Sequence, residues 1–170
     1  MNILGISAGF HDAGISFISD DKILFAAHSE RYSKVKHDSE LNTKILSDCI
    51  SQFGMPDQIA YYERPWVKRT RQLYAGQYSD AFNFKSVRTV LKETTPWANL
   101  HKLPIKHHSH HLSHAAAGFQ TSPYNAATVV VIDAIGEWDT ASIWSAEYIT
   151  GKATYKKLWS QKYPHSRFIL

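Results

Sequence analysis

Three strand-like runs at the start of the chain constrain its fold more than any other feature. Residues 2–8 (NILGISA) and 14–19 (GISFIS) are rich in β-formers, and the loop between them carries the glycine-containing GFHDAG. Asp20-Asp21 then supplies a tight turn into KILFAAHS, residues 22–29. Strands joined by connections this short pair as antiparallel neighbours, because a parallel pair needs a crossover of about a dozen residues or more. The period then changes. Over 40–53, Leu41, Ile45, Cys49 and Phe53 recur at four-residue intervals with Gly54 as a stop, which predicts a helix. QIAYYE at 58–63 returns to a strand pattern.

This βββαβ order predicts an α/β fold beginning with a ribonuclease-H-like, actin-like (ASKHA) lobe. From 65 to 100 the chain is rich in aromatics and reads as an irregular insertion with one helical pattern, NFKSVRTVLKE, in which Phe84, Val87, Val90 and Leu91 share a face. A short strand near LPIKH leads into a helical HLSHAAAGFQT. The continuous apolar run AATVVVI, 126–132, predicts a strand buried on both faces. ASIWSAEY and ATYKKLWS read as two more strands around a turn at Thr150-Gly151. The stretch Ile6–Phe17 recurs loosely as Ile132–Trp144: an apolar strand, a small-residue loop closed by an acid, and a returning Ile-Ser-aromatic strand. The recurrence predicts a duplicated lobe. The first lobe would span 1–125 with its insertion at 65–100, and 126–170 would be the first strands of the second, cut short. Paired hairpin loops of this kind can turn backbone N–H groups toward phosphates across a cleft.

Composition narrows the function classes. At 170 residues, with 44% apolar and 20% charged residues, the chain can bury a sizeable core and is not of disordered type. The net charge of +4 is scattered, and its densest cluster, Lys68, Arg69 and Arg71, reads as a solvated basic face. Phosphate-sized anions suit that distribution, and nucleic acid is not expected as a partner. A single cysteine, Cys49, excludes an internal disulfide, and its helical position predicts a buried thiol rather than a nucleophile. No basic-then-apolar leader and no apolar run of about 20 residues occurs, so a cytoplasmic protein without membrane contact is expected.

Chemistry concentrates in HHSHHLSHAAAGF, residues 107–119. With Ser109 as helix cap, His107 and His108 fall on the incoming strand and loop. His110 and His114 then lie four apart on one helix face, their rings about 6 Å apart, while His111 is turned away by about 100°. That spacing suits two nitrogen ligands of a divalent metal, and equally two ordinary polar residues of an exposed turn. A third ligand must come from elsewhere, since no carboxylate is near in sequence. His11-Asp12, at the tip of the first hairpin loop, offers a general base, or a turn histidine beside an Asx-turn aspartate. The run 30–38 presents Arg31, Lys36 and His37 to a phosphate or carboxylate, or is a solvated connection.

Taken in order, GISAGFHDAGISFI, HSERYSKVKHD, HHLSHAAAGF and VVVIDAIGEWDTASIW resemble the O-carbamoyltransferases of nodulation-factor and antibiotic biosynthesis, from Ile3 to about Ser166. The resemblance implies an N-terminal actin-like domain joined to a domain that makes carbamoyl-AMP from carbamoyl phosphate and ATP. The actin-like domain then transfers the carbamoyl group to a hydroxyl of a small-molecule acceptor. It implies that His110 and His114 bind a metal, usually iron as Fe(II), with Zn or Mn as substitutes, and that the third ligand is an aspartate beyond this chain. It puts His11, Lys36 and His37 around the carbamoyl-adenylate; of these His11 is expected to be the catalytic base, and Asp12 is expected to join Lys36 and His37 in binding substrate. Asp133, Gly136 and Glu137 fall on a phosphate-side DGxGE loop, with Ala134 where glycine is commoner. Arg167–Leu170 departs from the family pattern, so a truncated or frameshifted piece, inactive alone, is expected. Two other readings remain: a non-catalytic metal- or nucleotide-binding fragment working with a separate C-terminal half, and an actin-like sugar kinase, in which the histidine pair has no role. The acceptor is not legible in the sequence.

Overall fold

The computed structural model describes residues 1–83, 85–95, 97 and 99–164. Its elements run β1 (Asn2–Ser7), β2 (Gly14–Ser19), β3 (Lys22–His28), α1 (Glu30–Ser33), α2 (Thr43–Phe53), β4 (Gln58–Tyr61), α3 (Pro65–Tyr74), α4 (Tyr78–Phe82) and α5 (Val87–Thr94). A 3-10 turn at Leu100–Lys102 precedes β5 (Ile105–His107), α6 (His110–Gln120), β6 (Ala126–Gly136), β7 (Asp139–Ile149) and β8 (Lys152–Lys162). The chain divides into two units, Met1–Tyr62 with Asn83–His107, and Glu63–Phe82 with His108–Leu170.

In the first unit the sheet order is β3-β2-β1-β4-β5. β1, β2 and β3 pair antiparallel, whereas β4 runs parallel to β1 and β5 parallel to β4. This is the ribonuclease-H-like arrangement that the strand–helix order predicts. The β2–β3 turn works because Asp20 and Asp21 both take positive φ, 47° and 65°, matching the twist of the flanking strands. A Cβ at Gly5 would meet Ser16 Oγ on the paired strand at 2.5 Å, so a side chain there would displace that hydroxyl. The Asn42 side chain caps α2 by accepting from the Lys44 N–H, and Gly54 ends the helix at φ 81°. Ile45, Leu46, Cys49 and Ile50 of α2 are buried in a core with Leu4, Ile6, Phe17 and Ile59. Each such aliphatic side chain contributes about 1.5–3 kcal/mol.

In the second unit β6, β7 and β8 form an antiparallel meander in that order. One face packs on α6, with Ala115 and Leu112 against Val129, Val131 and Trp144. The other face is open: exposure alternates along β6, leaving Val130 at 60% and Ile132 at 66%. The apolar run 126–132 is therefore buried on one side rather than two. Both halves of the internal recurrence form antiparallel hairpins, β1–β2 and β6–β7, each followed by a third antiparallel strand.

The expected helical pattern forms α5, and among the described residues of the segment expected to be otherwise irregular α3 and α4 are helical as well. Pro65 at the first helical position starts α3. Its inward face is polar, with Lys68, Arg71 and Gln72 buried alongside Pro65, so the usual apolar stripe is missing from the sequence. Lys68 and Arg71 accordingly do not form a solvated basic face, and Arg69 alone of that cluster is exposed. Phe84 and Arg167–Leu170 lie outside the described residues. Among the described residues no helix is long and apolar enough to cross a membrane.

Burial pushes the Cys49 thiol up from 9.0 to about 11. The folded state thus holds the proton more tightly than the unfolded chain, a contribution complete below about pH 9 and lost as pH climbs toward 11. Denaturant titrations across that window should show wild type losing stability more steeply than Cys49→Ala. Parallel curves for the two proteins would contradict a buried thiol at this position.

Candidate metal centre

Helix α6 starts from Ser109, whose backbone is extended at φ −72°, ψ 143° and whose carbonyl accepts from the Ser113 N–H. One helical turn then stacks His110 and His114, with their Nε2 atoms 3.0 Å apart. Asp133 reaches them from β6: its Oδ2 lies 3.0 Å from His110 Nε2 and 4.0 Å from His114 Nε2. One donor atom from each residue fits within a 4.8 Å cluster. The β6–β7 register shifts between Ile132 and Gly136, and such a bulge re-aims the side chains beside it. Gly136 closes the cluster from behind, where a Cβ would meet His110 Cδ2 at 2.6 Å and Asp133 Oδ2 at 2.9 Å. The family resemblance implies that Asp133 and Gly136 lie on a phosphate-side loop and that the third ligand lies outside the chain. The structure brings a carboxylate to the histidines from within it.

This donor set fits a divalent cation. Ligands about 2.1 Å from a common ion and at right angles to each other stand about 3 Å apart, close to the two shorter separations here. Two imidazoles and a carboxylate suit Fe(II), Zn(II) and Mn(II) alike. Without an ion, the three atoms compete for protons. Burial, the largest influence on His110, opposes its charge, yet hydrogen bonding to Asp133 and Glu63 prevails and lifts its pKa to about 9. Burial, and next the His110 charge, push His114 down. The hydrogen bond from His110 holds Asp133 below the usual carboxylate range. His111 belongs elsewhere, as helix phase predicts: it is buried with Nδ1 2.7 Å from the Ser142 hydroxyl, which also accepts from Trp144 Nε1–H.

The turn after Gly136 is held by charge. Glu137 is buried at a positive φ of 58°, and its carboxylate accepts from the Arg64 backbone N–H at 2.7 Å. The same guanidinium grips it with both Nε, at 3.1 Å, and Nη2, at 2.5 Å. Arg71 Nε donates to the Glu137 carbonyl at 3.2 Å. Ala134 is not among the residues with left-handed backbone, so its methyl is accommodated where glycine is commoner. Arg64 and Arg71 were not legible as site residues because they act on the loop from α3 and its cap, far back in sequence.

In the first unit the loop between β1 and β2 gathers a second set. Asp12, at φ 49°, bridges two rings: His11 Nδ1 lies 2.8 Å from its Oδ2 and His37 Nδ1 lies 3.1 Å from its Oδ1. The loop is fixed by Gly9 N–H to Ser39 O at 2.9 Å and Ala13 N–H to Asp38 O at 2.7 Å. The His11 contact, then that of His37, lowers the Asp12 pKa. An ionised carboxylate only accepts, so both rings turn an Nδ1–H toward Asp12 and leave Nε2 facing away from it. Lys36 is exposed and, among the described residues, makes no polar contact with these three.

A family model described as carbamoyltransferase N-terminus matches residues 2–81 and 78–166. An uncharacterized protein of Synechocystis sp., sll1178, is 30% identical over 99% of this chain and 30% of its own length. The nodulation protein NolNO of Sinorhizobium fredii is 26% identical over 75% of this chain and 20% of its own. The chain thus spans less than a third of the length of these relatives. Among solved structures, YeaZ from Pseudomonas aeruginosa superposes on 98% of this chain and 68% of its own with TM-score 0.46 and 12% identity.

Gly136→Ala should push the His110 ring out of the cluster while leaving the far-ultraviolet circular dichroism intact. Zn(II) affinity, measured by isothermal titration, is expected to drop about tenfold or more. An unchanged affinity would mean that the close approach of Gly136 to His110 does not shape the metal seat.

Proposed function

This chain belongs to the carbamoyltransferase N-terminus family, and on that footing we propose that it forms the transfer side of a metal-dependent O-carbamoyltransferase. Its substrate would be carbamoyl-AMP, made elsewhere in the enzyme from carbamoyl phosphate and ATP, and its acceptor a hydroxyl of a small molecule. The observation that carries the reading is the convergence of His110, His114 and Asp133 on one point. These three residues would hold the ion, Fe(II) first, with Zn(II) or Mn(II) as substitutes. The bound ion would supply Lewis acidity and orientation at the carbamoyl carbonyl or the adenylate phosphate.

The chain's own groups account for the remaining work. His11, with Nδ1 tied to Asp12, presents Nε2 to take the proton from the attacking acceptor hydroxyl. AMP departs as the carbamoyl carbon–oxygen bond to phosphate breaks. His37, on the other oxygen of Asp12, and the exposed Lys36 bring cationic and donor groups to the adenylate side. Asp133 and Gly136 build the metal seat, and Glu137 fixes the turn beside it through Arg64. The β6–β7–β8 meander, matching β1–β2–β3 in order and direction, supports reading it as the start of a second actin-like lobe.

In this reading the double variant His110→Ala/His114→Ala loses Zn(II) binding by isothermal titration and, within the enzyme that also makes carbamoyl-AMP, carbamoyl transfer with it. His11→Ala keeps wild-type Zn(II) affinity but transfers about 10²–10⁴-fold more slowly. A double variant that binds Zn(II) as tightly as wild type contradicts the metal assignment.

A further inference from the structure

Behind the histidine pair sits a buried charge pair that the proposed reaction does not itself use. Glu63, the residue before the α3 cap, is 1% exposed. Its Oε1 accepts from Lys68 Nζ at 3.0 Å, and Lys68 is itself buried on the inward face of α3. Its Oε2 lies 3.5 Å from His110 Nδ1. The opposite nitrogen of that ring, Nε2, is the one that meets His114 and Asp133. The ring is thus placed between a carboxylate on one side and the metal seat on the other, with Gly136 against its edge.

We propose that Glu63 is a positioning residue for the metal centre: its carboxylate faces His110 Nδ1 and accepts from the Nδ1–H, holding the tautomer that turns the Nε2 lone pair toward the ion. The inference rests on reading His110, His114 and Asp133 as a metal seat. A neutral imidazole carries one ring proton, and a metal ligand must have it on the nitrogen away from the ion. Packing alone sets where the ring lies but not which nitrogen holds the proton. A carboxylate facing Nδ1 makes that choice, because it accepts and cannot donate. Lys68 has the complementary task of offsetting the carboxylate charge, so that Glu63 stays compatible with its burial when His110 is neutral. Asp133 does not substitute for Glu63, since it approaches the same ring at Nε2.

Two measurements test this. In the wild-type protein loaded with Zn(II), proton–nitrogen correlation spectra of the histidine side chains should show His110 protonated at Nδ1 and metal-bound at Nε2; the reverse assignment overturns the proposal. The second uses Glu63→Leu/Lys68→Met, which removes both charges together and strands neither. Its Zn(II) affinity should fall about 10–100-fold, and Glu63→Gln/Lys68→Met, which keeps an oxygen acceptor, should recover part of the loss. Wild-type affinity in both double variants overturns the role of Glu63 while leaving the metal centre standing. A wild-type protein that takes up no Zn(II) overturns both. Should the variants not fold, the wild-type spectra decide alone.

Discussion

Three electron-rich atoms, His110 Nε2, His114 Nε2 and Asp133 Oδ2, are brought within hydrogen-bond to ion-pair distance of one another, and much of the second unit follows from that crowding. Lone pairs this close need a shared cation. In the absence of a metal a proton serves, which is why His110 holds one so tightly. The same crowding leaves no room for a side chain at position 136 and goes with a shifted register in β6. It also places a carboxylate at the back of the His110 ring. Arg64 and Arg71 lock the next turn by gripping Glu137 from α3 and its cap.

How much of this the sequence disclosed depended on whether a feature was local. Hairpin spacing and the four-residue period of α2 are local, and the first three strands and that helix followed from them. The His110/His114 pair is also local, one helical turn, and helix phase alone separated it from His111. Asp133 was visible as an acid but not as a ligand, because its approach depends on a strand packing on α6 and on a bulge that no spacing rule specifies. Helix α3 stayed hidden for a different reason. Its buried face carries Pro65, Lys68, Arg71 and Gln72; Lys68 pairs with Glu63 and Arg71 with Gln77 and the Glu137 carbonyl, so the charges there mark internal pairing rather than solvent. For β6, an apolar run resembles a doubly buried strand whether or not a second layer covers it, and here one face is open.

The two candidate sites share a design. In each, a carboxylate fixes which ring nitrogen of a histidine is left available: Asp12 for His11, and Glu63 for His110 in the proposal above. A base whose lone pair is oriented in advance and a ligand whose lone pair is oriented in advance both reduce the reorganisation needed when substrate or ion arrives. The His11–Asp12 pair sits in a short hairpin loop, and the His110–His114–Asp133 cluster on a helix start and a bulged strand.

Anaerobic X-ray absorption at the iron edge, on protein titrated with one equivalent of Fe(II), addresses the seat most directly. An ion held by His110, His114 and Asp133 gives nitrogen and oxygen neighbours at about 2.1 Å together with the outer-sphere scattering of two imidazoles. A spectrum of hydrated Fe(II), with no imidazole contribution, would contradict it.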